Sequence, residues 1–407
     1  MKKFLFSAAL FFTACAASAQ VSVVKEAKSA KSDPAKAAEI IKPALTDPTT
    51  ANDPQTWKLA GEFQKAIYDA ENMKLYIPGG KEKADTAKLY TSLVNLFDYY
   101  FKCDEVEQAA VAKGELKKAK FRKKLAKELT AVRPNLTNGG IDAINASRYE
   151  DALKFFGLYV DAAKHPMFED VDAIKNDTLV PLIANYAVMA ANALKDNASV
   201  IKYATIGKSH KEEGYRALMG LAEAYGKGEF VDSTKWLATI KEGVEMFPKQ
   251  EFFVGSLMDY YIQRGEIDAA LADIDGFIAK NPSAYFMYVK GILQYEKRDY
   301  PAAEATFKQI IDKNDGFVAE AYSKIGDCYF FPGQDAEEAN SKLTMDDPNY
   351  AKGEEAVKKA YETARPFYEK AKELAPDNKQ LWGQYLLRIY WKLNKAEYDA
   401  LEKELGY

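Results

Sequence analysis

The residues able to carry reaction chemistry are few and badly spaced for it. His165 and His210 are the only histidines. His165 precedes Pro166, and His210 sits between Ser209 and Lys211 near the end of a helical stretch. Neither has a partner at a useful interval, so both read as exposed loop residues. A Cys–His pair or a Ser–His–Asp triad needs a nucleophile and base brought together, and nothing here supplies the base. A zinc site would want paired histidines or cysteines, which are missing. Cys103 and Cys328 lie 225 residues apart on different predicted helices and read as two buried free thiols, not a bridge. The carboxylate pairs Glu337-Glu338, Asp346-Asp347 and Glu354-Glu355 lack the alternate oxygens and closing Glu of a calcium loop. Gly79-Gly80 and Gly139-Gly140 are doublets without the Lys-Ser/Thr of a phosphate loop, and read as turns. No catalytic residue, metal or cofactor is expected.

Charge is concentrated in one place. Residues 113–133 hold Lys113, Lys117, Lys118, Lys120, Arg122, Lys123, Lys124, Lys127 and Arg133 against Glu115 and Glu128, an excess of +7. Phe121, Leu125, Leu129 and Val132 recur at helical spacing, which predicts one amphipathic helix with a basic face centred on Lys117, Lys120 and Lys124. Such a face is first a solvated one; as a contact surface it would suit anionic lipid head groups or an acidic partner, so a peripheral membrane contact stays open. The chain as a whole carries −4, which argues against a nucleic-acid role.

What positions these residues is a helical framework behind a targeting segment. Lys2 and Lys3, the apolar run Phe4 to Phe12 and Ala17-Ser18-Ala19 form a secretory signal over 1–19, with Gln20 expected as the new N-terminus. Cleavage removes the charges of Lys2 and Lys3, taking −4 to −6. The alternative is lipid attachment at Cys15, for which the bulky Phe12 is a poor neighbour. Residues 20–35 are small, polar and rich in Lys and Ser, and read as a flexible leader. From Ala37 on, the pattern is helical. Pro and Gly mark the expected loops: Asp47-Pro48, Pro78-Gly79-Gly80, Pro134 to Gly140, Phe247-Pro248, Asn281-Pro282, Phe331-Pro332-Gly333 and Ala375-Pro376.

The helices repeat. Between Pro248 and Pro282 the first helix carries Leu257 and Tyr261, a turn follows at Arg264-Gly265-Glu266, and the second carries Ala270, Ile274 and Phe277. The next copy has Gly291, Arg298-Asp299-Tyr300, Ala303, Phe307 and Ile310. Trp236 to Ala270 is 34 residues and Ala270 to Ala303 is 33. A helix–turn–helix period near 34 is the tetratricopeptide signature. The fold class is therefore all-α, an α-α superhelix of antiparallel helix pairs. A degenerate helical region is expected over 36–134 and a repeat array over 139–407, with a polar insertion at a turn over 331–355 and a worn copy over 178–210.

The N-terminal Ala-Ser-Ala-Gln, the FDYYFKCDEVEQ segment (97–108) and FRKKL…YEDALKFFGLYVDAAKHPMF (121–168) resemble exported tetratricopeptide-repeat proteins of Bacteroidetes. That resemblance implies a binding surface instead of an enzyme, in the periplasm or at the outer membrane. Carried to matching first-helix positions, it implies a groove lined by Tyr285, Tyr288, Tyr295, Phe330, Phe331, Tyr390 and Trp391, with Gln263, Arg216 and Lys227 upstream. An aromatic groove suits an extended peptide or a partner's helix. The alternative is a cell-surface glycan- or nutrient-binding protein stacking sugar rings on the same side chains.

Overall fold

The computed structural model describes residues 21–76, 82–314 and 316–407, and every regular element among them is a helix. The expected signal segment, Cys15 and the Gly79-Gly80 turn lie outside the described residues. The chain forms two compact units, Met1–Thr239 and Ile240–Tyr407, dividing inside the stretch read as one continuous array. Among the described residues no helix is long and apolar enough to cross a membrane.

In the first unit, after the helical residues 21–29, the helices of eight residues or more are α1 (Pro34–Ile41), α2 (Pro54–Leu75), α3 (Thr86–Ala112), α4 (Arg122–Val132), α5 (Pro134–Asn145), α6 (Tyr149–Ala162), α7 (Val180–Leu194), α8 (Asn197–Gly207) and α9 (Gly214–Gly226). Helix α10 (Ser233–Met246) begins there. The second unit holds α11 (Glu251–Gln263), α12 (Ile267–Lys280), α13 (Ala284–Glu296), α14 (Tyr300–Lys313), α15 (Val318–Asn340), α16 (Tyr350–Leu374), α17 (Gly383–Lys392) and α18 (Tyr398–Leu405). Helices adjacent in sequence pack as antiparallel pairs: α2 with α3, α5 with α6, α7 with α8, α13 with α14 and α15 with α16. Their starts are written locally. Asp53, Asp85, Asp196, Ser283 and Asp299 each accept a hydrogen bond from a backbone N–H of the following first turn.

One packing device recurs in both units. A glycine on the first helix of a pair receives an aromatic ring from the second: Gly61 takes Tyr100, Gly140 takes Phe156, Gly291 takes Phe307 and Gly326 takes Tyr368. A Cβ at Gly291 would lie 2.4 Å from the Phe307 ring, so the helices approach as closely as they do only because the side chain is absent. Ala270 and Ala303, expected as the small second-helix residues, are fully buried.

Four expectations need correction. The leader is ordered from Val21: residues 21–29 are helical, and Ala27 is fully buried in a cluster with Ala37, Ala38, Ile41 and Phe63. Alanines and the partly buried Val23 and Val24 give this polar-looking segment enough apolar surface to dock. Pro134 to Gly140 is not a loop. Pro134 opens α5, where its missing N–H costs nothing, and Gly139 and Gly140 lie inside the helix against Tyr90 and Phe156. The basic stretch is not one helix either: only Arg122–Val132 is helical, and 113–121 is a folded loop.

The fourth concerns the insertion. Phe331-Pro332-Gly333 lies within α15, which runs on to Asn340, and α16 starts at Tyr350. Residues 331–355 therefore lengthen both helices of one pair and leave nine residues, 341–349, as the connection between them. An interior proline costs a helix roughly 3 kcal/mol. Tertiary contacts offset it here: Gly333 packs on Ala360 and Tyr361, and Glu337 accepts hydrogen bonds from Tyr361 and Arg388 at 2.8 and 2.9 Å.

Candidate functional site

Within each unit, successive first helices touch one another directly, α7 with α9 and α13 with α15. Most of the groove residues expected from sequence sit on this row in the second unit. Tyr288 stacks on Phe317 at 5.3 Å, and Tyr285 leans on the same ring at 5.8 Å. Tyr295 meets Phe331 edge-on at 6.3 Å, and Phe331 meets Tyr385 at 6.1 Å. These rings are partly buried, each with part of its surface open.

Phe330 departs from the expectation. It is 4% exposed, packed among Tyr361, Tyr368 and Tyr385, and belongs to the core between α15, α16 and α17. Its neighbour Phe331, turned by the helix, faces the row instead. Tyr390 is likewise buried, its hydroxyl donating to Glu369 at 3.0 Å. Trp391 is 54% exposed, with the Arg388 guanidinium 4.7 Å from its ring. Gln263 is exposed, and exposed Lys227 pairs with Glu223 at 2.8 Å. Trp382 is fully buried, its indole N–H donating to Ala375 O.

Sequence reasoning missed the polar centre of this row. Asp327, 2% exposed, accepts from Lys324 at 2.7 Å through one carboxylate oxygen and from Tyr368 at 2.6 Å through the other. The Lys324 ammonium also lies 5.9 Å over the Tyr295 ring. Burial acts to lower the Lys324 pKa, but the charge and hydrogen bond of Asp327 more than offset it, so the ammonium is held firmly protonated. Burial, reinforced by Asp327, pushes the Tyr368 phenol well above its ordinary range. Tyr385 stacks on Tyr368 at 4.9 Å and shields the pair from one side. The signal was present as Lys and Asp three apart on a first helix, but it was indistinguishable from an exposed ion pair.

The first unit carries a concavity on its own row, an open groove of about 580 Å³ between α7 and α9. Tyr186, Val188, Met189, Tyr215 and Met219 supply its apolar lining, and Asn185, Asn192, Glu213, Arg216 and Glu223 its polar one. Arg216, the one residue here expected from sequence, pairs with Glu213 and lies over the Tyr215 ring. Tyr186/Met189 and Tyr215/Met219 stand at helical intervals, yet the copy is too worn for the repeat period to assign them to a groove.

The thiols and imidazoles are held in local packing and hydrogen bonds. Burial pushes both the Cys103 and Cys328 thiols up to about 12, far from a reactive thiolate. His165 is no exposed loop residue. It stacks on Phe101 at 3.9 Å, caps the Met167 N–H, and is held by burial below its ordinary pKa. His210 accepts the Glu213 N–H at 3.0 Å. Among the described residues no three His, Cys, Asp or Glu side chains are grouped to hold a metal.

Residues 257–330 match the tetratricopeptide-repeat family model. Among solved structures, a TPR repeats protein from Bacteroides fragilis is 17% identical over 63% of this chain and 97% of its own, with a TM-score of 0.34. The C-terminal part of a TPR repeat-containing protein from Cytophaga hutchinsonii is 13% identical over 65% of this chain and 92% of its own, TM-score 0.38. A tetratricopeptide repeat protein from Parabacteroides merdae is 16% identical over 64% and 98%, TM-score 0.31. No curated protein sequence matches the chain significantly.

Proposed function

Taking as premise a helical-pair chain with tetratricopeptide repeats over 257–330, we propose that it is an exported, non-enzymatic scaffold that holds a peptide segment of a partner protein along its first helices. The observation that carries this reading is the groove between α7 and α9. It offers two rigid tyrosines and two adaptable methionines beside asparagine amides and charged groups. Apolar side chains of an extended segment gain by burial there, and its backbone amides find partners in Asn192 and Arg216. The partly buried tyrosines of α13 and α17 provide a comparable surface in the second unit.

The reading is tested by selecting ligands for the purified protein from a displayed random-peptide library and measuring their affinity for variants. Met189→Glu with Met219→Glu should weaken first-unit ligands by on the order of tenfold or more, since each places a charge against a buried apolar side chain. Tyr288→Ala with Tyr295→Ala should do the same for second-unit ligands. Unchanged affinity in both double variants, with helical circular dichroism intact, would overturn the assignment. Export rests on the signal-like residues 1–19. The protein recovered from its native cells should begin at Gln20, and an intact Met1 in its mass spectrum would count against export.

A further inference from the structure

The loop 113–121 and the start of α4 form a fixed platform of unpaired positive charge. Lys113, Lys117, Lys118, Lys120, Lys123 and Lys127 are all exposed, and among the described residues none makes an ion pair. Lys124 alone reaches a carboxylate, Glu128, at 3.6 Å. Solvent-exposed lysines in a mobile tail would be unremarkable, but this loop is built in. The Glu107 carboxylate, 1% exposed, accepts the backbone N–H groups of Lys120 and Phe121 at 2.8 and 3.0 Å. Asp104, 2% exposed, takes a bidentate contact from Arg122 at 2.7 and 2.8 Å. Ala110 O accepts from both Glu115 and Leu116. Two buried carboxylates on α3 are thus spent on holding the loop, an expensive arrangement for a segment whose side chains only meet water.

We propose that this platform docks on an anionic lipid bilayer. The side chains present favour a diffuse sheet of negative charge over a shaped ligand. Both arginines of the segment are engaged internally, Arg122 with Asp104 and Arg133 with Asp177, so no free guanidinium remains to grip a phosphate bidentately. None of the exposed large apolar side chains falls in 113–133, which removes the stacking rings that single-stranded nucleic acid uses and the anchors that protein hot spots use. Lysines are left, each a hydrated point charge worth about 1 kcal/mol near an anionic surface. The rest of the chain orients the contact: an excess of +7 in 113–133 within a total of −4 leaves −11 elsewhere, which the same surface repels.

The test is flotation of the full chain with vesicles of phosphatidylcholine alone or with about a third phosphatidylglycerol. Binding to the anionic vesicles only is expected, lost as salt rises from about 0.1 to 1 M and the screening length falls from about 10 to 3 Å. Lys117→Glu, Lys118→Glu and Lys120→Glu together should lower the partition coefficient on the order of a hundredfold or more, while the matching Lys→Arg triple keeps it. The gentler Lys113→Gln, Lys123→Gln, Lys127→Gln triple should also lose binding, covering the case in which glutamates disturb the loop. Equal binding to neutral vesicles, or undiminished binding by both charge-removing triples, overturns the proposal. So does an absence of vesicle binding beside salt-sensitive binding to polyglutamate, which would make the partner an acidic protein.

Discussion

The pairs α13/α14 and α15/α16 solve one packing problem with opposite chemistry. In each, a glycine of the first helix takes a ring of the second, Phe307 on Gly291 and Tyr368 on Gly326. Counting from those glycines, Val289 and Ile292 in the first pair stand where Lys324 and Asp327 stand in the second. The plain pair puts hydrocarbon and a phenyl ring at these positions, and elsewhere along its seam the buried Thr306 hydroxyl donates to Gln294 at 2.7 Å. The lengthened pair fills them with an ammonium, a buried carboxylate and a phenol joined by hydrogen bonds. A close helix crossing thus specifies volume more strictly than polarity, provided that every polar atom placed there finds a partner.

The largest effect should come from breaking that provision. Asp327→Ala leaves the fully buried Tyr368 hydroxyl and the Lys324 ammonium, whose side chain is 28% exposed, without their shared acceptor. A loss of about 2–4 kcal/mol is expected, the ammonium regaining part of its hydration, read as a fall in the denaturant midpoint. Copying the plain pair instead, with Lys324→Val, Asp327→Ile and Tyr368→Phe together, should cost far less and leave stability within about 2 kcal/mol of the parent or above it. If the triple variant is as unstable as Asp327→Ala, volume is not what the crossing reads, and the comparison fails.

The same two pairs show where the sequence is readable. In α13/α14 the period is intact, the turn is short, and Gly291, Ala303, Phe307 and Ile310 fall where a repeat requires them, all buried. In α15/α16 the local signals mislead. Phe331-Pro332-Gly333 has the composition of a chain break, yet Gly333 serves Tyr361 and the helix passes through. The groove residues divide for a related reason. Phe330 and Phe331 are adjacent and alike in type, but a helix turns successive side chains by about 100°, so one fills the core and the other faces the row. Periodicity identifies which helices pack. Which ring of a doublet points inward depends on the partner helix, whose register a 25-residue insertion hides. The basic stretch departs from a single helix because Glu107 holds the backbone of its loop, and Asp104 the Arg122 that follows, from another helix, contacts no local pattern carries.

The smallest effect sharpens the comparison at Pro332. If the extension of α15 is held by tertiary contacts against the proline, Pro332→Ala restores a backbone donor and removes a steric conflict without touching Glu337 or Gly333. Stability should then rise, by up to about 1 kcal/mol, since the surrounding helices have already adapted to the ring and return only part of the proline's intrinsic cost. Glu337→Ala supplies the opposite arm. It removes the acceptor of Tyr361, Arg388 and Lys392, all bound at 2.8 to 2.9 Å, and should cost about 1–3 kcal/mol. Hydrogen exchange localises both effects, because the amides of 334–340 should gain protection in the first variant and lose it in the second. Unprotected amides there in the parent protein would mean that the helix ends at the proline after all, and that the lengthened pair is no longer than the plain one.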